Sequence, residues 1–307
     1  MTQAFQVRHG SSKDVIMPEP SRWAREIQLL FTDRFSVFDV GKVPYEIEDM
    51  GAFRHAIAVR MFALLSSCSI PNHFKRSFAS KKITVEPFCI DELGQYFDHA
   101  RGKIVPLEII DRQEVTEPLL VRAAINAELL GKMQARVRGP MVVGTRFTSP
   151  LIECTTKFEP IDRRLSDLEA IKIARLGEAS YTEMCGLVAK ASTILTEFFA
   201  FRGYNRIDGK WEVAITYDGP TFVIVDSYSP DEMRLIGPDG RSYDKDPLRN
   251  WYKDNFPGWI ASLEAAKREW PKDKARWPAY PKTVPPTAVL DDLRERYRMV
   301  AEAIGAI

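Results

Sequence analysis

The chain has 307 residues, 45% of them hydrophobic, with 43 Lys and Arg against 42 Asp and Glu. That is an ordinary soluble composition, long enough for two lobes, and a net charge of +1 gives no general attraction for nucleic acid or an anionic membrane. Four scattered cysteines and four histidines without a shared motif argue against a zinc site or a histidine triad. No apolar run has membrane-spanning length, and the first residues (MTQAFQVRHGSS) lack the apolar core of a secretory signal, so a cytoplasmic location is expected.

In chain order, IQLLF (27–31) and FSVFDV (35–40) read as strands separated by the polar Thr32-Asp33-Arg34. From Gly51 the period becomes helical, with Phe53, Ile57, Val59, Phe62, Ala63 and Leu65 on a broad apolar face that ends before Pro71. Strand signals return at 83–90 and 103–111, followed by a helix over 117–133 with Pro118 in its first turn. Residues 166–201 form the longest helical stretch. Ser166 and Glu169 have capping-box spacing, and Gly177 and Gly186 predict two helices or a bend. A hairpin (206–228), a short helix (247–254), a proline-rich surface segment (270–286) and a final helix (287–305) complete the chain. The broken basic run KREWPKDKAR (267–276) reads as a solvated face. Strands mixed with helices, without strict βαβ alternation, predict α+β.

The hairpin carries the most chemistry. Asp218-Gly219 predicts a turn that pairs 210–216 with 221–227 and brings Glu212 opposite Asp226. Two facing carboxylates repel, and Mg²⁺ would remove the conflict because it takes one or two carboxylates plus phosphate oxygens. Asp208, Lys210 and Glu212 alternate on one strand face, which suits a polyphosphate site; an exposed sheet face with a Lys–Glu ion pair fits the same pattern.

With these residues placed, the chain resembles the SAICAR synthetase family, the phosphoribosylaminoimidazole-succinocarboxamide synthases. HGSSKDVI keeps Gly10, Lys13 and Val15 of the family's phosphate loop. TDRFSVFD keeps Asp33, Arg34, Ser36, Phe38 and Asp39, and VPLEIIDR keeps Val105, Pro106, Glu108 and Arg112. Thr156-Lys157, DGKWEVA (Asp208, Lys210, Glu212), DSYSPDEMR (Asp226, Ser229, Pro230, Asp231, Arg234) and Asp244-Lys245 with Arg249 follow in the family's order. The resemblance implies an α+β, two-lobed fold of antiparallel sheets flanked by helices. An ATP-binding lobe (1–104) would meet a C-terminal lobe (105–307) across an ATP cleft.

It also implies an ATP- and Mg²⁺-dependent ligase that activates a carboxylate as an acyl phosphate, which an amine such as that of aspartate attacks. Gly10, Ser12, Lys13, Val15, Glu108 and Lys210 would hold ATP, and Glu212 and Asp226 the metal. Lys210, Asp208 and Lys245 would be catalytic. Arg34, Ser36, Asp39, Arg112, Lys157, Asp231 and Arg234 would bind substrate. The partners would be a small-molecule carboxylate and an amino acid, not nucleic acid or membrane, with a homo-oligomer left open.

Several family positions differ: Ser11, Met50-Gly51, Glu117-Pro118, Ile161-Asp162-Arg163, Ser227 and Glu232-Met233. Because the differences fall on the substrate side, and an acid at Glu117 would oppose a phosphate, the expectation is an altered acceptor or amine in a specialised, nucleoside-type pathway. Housekeeping purine synthesis is the close alternative, and a nucleotide-binding paralogue without catalysis is a third reading.

Overall fold

The computed structural model describes residues 5–78, 81–219 and 221–307. Met1–Ala4, at the start of the stretch read for a signal, and Pro220, in the hairpin turn, lie outside them. The chain begins with β1 (Phe5–His9), β2 (Lys13–Pro18) and β3 (Ile27–Phe31), then a two-stranded ribbon of β4 (Arg34–Ser36) and β5 (Lys42–Glu46). Helix α1 (Met50–Ser67) follows, then β6 (Phe74–Phe78) and β7 (Lys82–Val85). The first sheet is antiparallel, in the order β1-β2-β3-β7-β6.

Next come β8 (Gly102–Ile104), β9 (Leu107–Glu114), α2 (Glu117–Ala123), α3 (Ala127–Gln134), β10 (Arg146–Thr156) and β11 (Arg164–Leu165). After α4 (Asp167–Ala174) and α5 (Glu178–Ala200), β12 (Asn205–Thr216), β13 (Phe222–Val225) and β14 (Met233–Ile236) complete a second antiparallel sheet. Its order is β11-β10-β9-β12-β13, with β14 and β8 also paired to the long β12. Helices α6 (Asp246–Asn255), α7 (Pro257–Glu269) and α8 (Thr287–Ala303) close the chain.

Helix α1 joins the two halves. Ala58 and Phe62 pack on the first sheet, whereas Ile57, Met61 and Leu65 belong to the main core with α5 and the second sheet. A helix buried on several sides needs no polar stripe, which explains its broad apolar face. The aromatic Trp251 and Trp259 pack around Tyr252 and Tyr280.

Several expected elements are shorter or divided. The strand expected at 35–40 stops at Ser36, because Phe38 and Asp39 both adopt positive φ. The strand at 83–90 ends at Val85, ahead of Pro87, and the one at 103–111 is broken at Val105-Pro106. The helix over 117–133 is two helices, because Asn126 leaves helical geometry and accepts the Leu129 N–H as a new N-cap. Gly177 separates α4 from α5, while Gly186 sits inside α5. The segment 270–286 is anchored: Trp277 is buried and the Tyr280 hydroxyl bonds the Val37 and Gly41 carbonyls. Among the described residues no helix is long and apolar enough to cross a membrane.

Ser166 accepts the Glu169 N–H at 3.3 Å, and the Glu169 carboxylate accepts the Ser166 N–H at 2.9 Å. Ser166→Ala should therefore lower stability by about 1 kcal/mol, read by chemical denaturation. A loss near zero would mean that the α4 cap contributes nothing.

Candidate active site

Alternation along β12 puts Asp208, Lys210 and Glu212 on one face, and on neighbouring β9 it does the same for Glu108 and Arg112. Register then sets the pairs: Asp208 lies opposite Arg112 on β9 and Arg234 on β14. The result is a row of alternating charge across four strands. Arg234 Nη2 donates to Asp208 at 2.5 Å, Arg112 Nη1 donates to Asp208 at 2.9 Å, and Arg112 Nε donates to Glu153 on β10 at 2.5 Å. Arg122 from α2 donates to the other Glu153 oxygen at 2.5 Å. Burial disfavours the Glu153 charge, but Arg122 and Arg112 outweigh it and hold the carboxyl down at about 2. Lys210 donates to Glu108 at 2.8 Å; burial opposes the ammonium, yet Glu108 keeps its pKa above the ordinary value.

A second cluster joins the two sheets. Gly10 N–H donates to the Lys13 carbonyl at 2.9 Å, closing the β1–β2 turn, and a Cβ there would meet that oxygen at 2.4 Å. The turn delivers Lys13 Nζ to Asp226 Oδ1 at 2.5 Å, Ser227 Oγ at 2.6 Å and Glu232 at 3.8 Å. Glu212 is opposite Val225, so Asp226 follows one residue beyond the ladder, where φ is +67°. Asp tolerates that left-handed geometry. His73 donates from Nε2 to the Asp226 carbonyl at 2.7 Å, and burial lowers its pKa to about 4, leaving the ring neutral. Glu212 is paired with Lys157.

The donor set fits a divalent cation. Burial and then the charge of Asp226 raise the Glu212 pKa, whereas Asp226 is lowered because Lys13 outweighs its burial. Burial also raises Glu232, despite Lys13. Three half-buried carboxylates thus face two lysines, an excess of one negative charge. Among the described residues no three or more His, Cys, Asp or Glu side chains converge as a preformed cage. Mg²⁺, which takes one or two carboxylates and completes its shell with phosphate and water, suits Glu212 and Asp226.

A cleft of about 390 Å³ opens beside both clusters. It brings together Ser36, Asp39, Arg112, Asp208, Lys210, Asp231, Arg234 and Lys245 of the expected site. Glu212 and Asp226 line a small adjoining cavity with the wall residues Lys210 and Glu232, which also contact Glu108 and Lys13 respectively, and Lys157 reaches Glu212. Arg34 is turned away onto Asp14, and Val15 packs in the first-sheet core. The Ser12 carbonyl accepts the Thr32 N–H, and the Asp231 carboxylate is held by Arg54 Nε and the Tyr297 hydroxyl, each at 2.7 Å. Burial lowers the Lys245 pKa despite Asp231 at 3.8 Å.

Sequence reasoning did not single out Glu153, Arg54 or the binding of Lys13 by Glu232. Glu153 stands in the TTK stretch four residues before Lys157, which was the available signal.

The two-sheet α+β arrangement and the lysine–carboxylate cleft define a nucleotide-dependent ligase scaffold. Superposition supports the fold: SAICAR synthase from Saccharomyces cerevisiae, solved with SAICAR, matches with a TM-score of 0.71 at 18% identity, covering 99% of this chain and 97% of that one. A SAICAR synthetase solved with ADP matches with a TM-score of 0.63 at 21% identity, covering 90% and 100%. In sequence, a phosphoribosylaminoimidazole-succinocarboxamide synthase of Thermoplasma volcanium is 28% identical over 235 residues, covering 73% of this chain and 76% of the relative. A protein of Archaeoglobus fulgidus with a provisional name of the same kind is 30% identical over 272 residues, covering 80% and 79%. The SAICAR synthetase family model matches residues 7–266, and the chain belongs to that family. It is accordingly an ATP-dependent C–N ligase of a family that uses ATP and Mg²⁺.

Proposed function

We propose that the protein joins aspartate to the carboxylate of an imidazole ribonucleotide, as the housekeeping enzyme of purine synthesis does. One observation carries this: Arg234 and Arg112 flank Asp208 on the cleft wall, two residues from Lys210, which lines a small adjoining cavity with Glu212 and Asp226. Two guanidiniums suit a phosphate monoester, and the half-buried carboxylates with Lys13 and Lys210 suit a triphosphate and its metal.

The relatives' names support the purine reading over a specialised acceptor. Glu117, the main reason to expect an altered acceptor, is exposed at the first turn of α2 and is not among the cleft residues. Its charge there suits the helix N-terminus.

On this reading, Glu212 and Asp226 hold Mg²⁺, whose contribution is to neutralise charge on phosphoryl oxygens. Lys13 and Lys210 exchange carboxylate contacts for phosphate contacts. The arginine pair fixes the acceptor so that its carboxylate meets the terminal phosphoryl group, and the wall residue Lys245 faces the incoming amine. No protein nucleophile is required, and catalysis is positioning plus charge stabilisation.

The test is ADP release with the imidazole carboxylate ribonucleotide crossed against a panel of amino acids. Turnover that requires both the ribonucleotide and aspartate supports the proposal; turnover with a different amine or heterocycle replaces it with a specialised ligase. Arg234→Ala, at a side chain about one-third exposed (31%), should raise the acceptor KM roughly 10- to 100-fold, the loss of one charge-assisted contact. An unchanged KM would mean that no phosphate sits there.

A further inference from the structure

On the opposite face of β10 from Glu153 lies a group of reactive side chains that ligation does not use. Successive residues of a strand face opposite ways, so Cys154 turns from the cleft into the core, where it is buried against α5. Tyr181 and Cys185, four residues apart on α5, share the helix face that meets it. Cys154 Sγ lies 3.4 Å from the Tyr181 oxygen, and Cys185, one helical turn on from Tyr181, packs against the core cluster that holds both. Cys185 is only half-buried: it lines a second cleft, of about 560 Å³, with Lys132, Arg136, Asp167 and Tyr181. One thiol is therefore reached from outside, and another stands directly behind it.

Exposure assigns the two thiols different roles. Tyr181 donates its hydroxyl proton to Asp167 at 2.9 Å, and Asp167 also takes the Lys132 ammonium at 2.7 Å. The Cys154 S–H is then the proton that the Tyr181 oxygen accepts. Contact with Cys185 and then burial raise the Cys154 pKa, while contact with Cys154 outweighs burial and lowers that of Cys185. Cys185, open to the second cleft, is the sulfur that an outside disulfide can reach, and the thiolate is the nucleophilic form.

We propose that Cys185 is a modification site for low-molecular-weight disulfides, with Cys154 as its resolving thiol. The Cys185 thiolate attacks one sulfur of RSSR, forming Cys185–S–S–R and releasing RS⁻. Cys154 then gives its proton to solvent and attacks the Cys185 sulfur, forming the Cys154–Cys185 bond and releasing a second RS⁻. The small disulfide is the oxidant, reduced to two thiols as the protein pair is oxidised. The cross-link would tie β10, next to Glu153 and three residues before Lys157, to α5.

The test treats the full-length wild-type protein with excess oxidised glutathione, quenches with iodoacetamide at intervals and maps each cysteine by peptide mass. Cys185 should carry glutathione roughly tenfold sooner than Cys68, the other half-buried cysteine, and its adduct should give way to a Cys154–Cys185 cross-link. In Cys154→Ser the adduct on Cys185 should persist. Labelling of Cys68 as fast as Cys185 overturns the site. A persistent adduct in the wild type, or its undiminished loss in Cys154→Ser, overturns the resolving role. Should Cys154→Ser fail to fold, the wild-type time course decides alone.

Discussion

Asp226→Asn should lower Mg²⁺- and ATP-dependent turnover by roughly a hundred- to a thousandfold while leaving the melting temperature nearly unchanged. The backbone is the reason for choosing asparagine. Asp226 has φ +67°, a conformation that Asn adopts readily and most other residues do not. The substitution keeps the side chain's shape and removes only its charge. Lys13 is not stranded by the change, since Ser227 at 2.6 Å and Glu232 at 3.8 Å remain. What disappears is one of the two carboxylates proposed for the cation. Glu212→Gln should give a similar loss, and in both variants raised Mg²⁺ should recover part of the rate. Initial rates across a Mg²⁺ series, with circular dichroism as the fold control, make the measurement. Near-wild-type turnover in both variants would remove Glu212 and Asp226 from the metal site.

The residues in that prediction were legible because they obey local rules. Asp208, Lys210 and Glu212 announce one strand face by their spacing, and Asp218-Gly219 announces the turn that brings Asp226 alongside; β12 and β13 are where these signals put them. The Ser166–Glu169 capping box was equally local and is present. What could not be read depends on register between distant segments. Nothing near Glu153 says that Arg112, 41 residues earlier, will reach it diagonally from the neighbouring strand, where Ile110 is its ladder partner. Nothing near Asp231 points to Arg54, 177 residues away on α1. That pairing holds the Asp231 side chain at 1% exposure beside the cleft. The expected helix over 117–133 was miscounted for a related reason: its apolar content fits one helix, and only the Asn126 side chain capping Leu129 shows that a second begins.

The largest stability effect should come from beneath the site, at Arg206 and Asp111, both fully buried. Arg206 Nη1 donates to Asp111 at 2.7 Å and Nη2 at 2.5 Å, and Trp211 Nε1, Ser192 Oγ and Gln113 Nε2 donate to the same carboxylate at 2.6, 2.7 and 2.7 Å. Burial opposes the Asp111 charge, but Arg206 outweighs it and the pKa is lowered. A depressed carboxylate pKa contributes stability that is complete above its unfolded value near 3.8 and is lost as pH falls below it, so at neutral pH the contribution is whole. Arg206→Met or Asp111→Asn alone should cost about 3–5 kcal/mol, because each leaves a buried charge uncompensated. Removing both with apolar residues should cost clearly less than the sum of the singles. Urea unfolding of the three variants measures this, and single losses below about 1 kcal/mol would contradict it. The pair also positions the chemistry. A Cβ on Gly209 would lie 1.7 Å from the Tyr228 hydroxyl oxygen and 2.2 Å from Arg206 Nη2, so the backbone between Asp208 and Lys210 rests directly on this network. Gly209→Ala must therefore lift the strand that carries both residues, and turnover should fall even in molecules that remain folded.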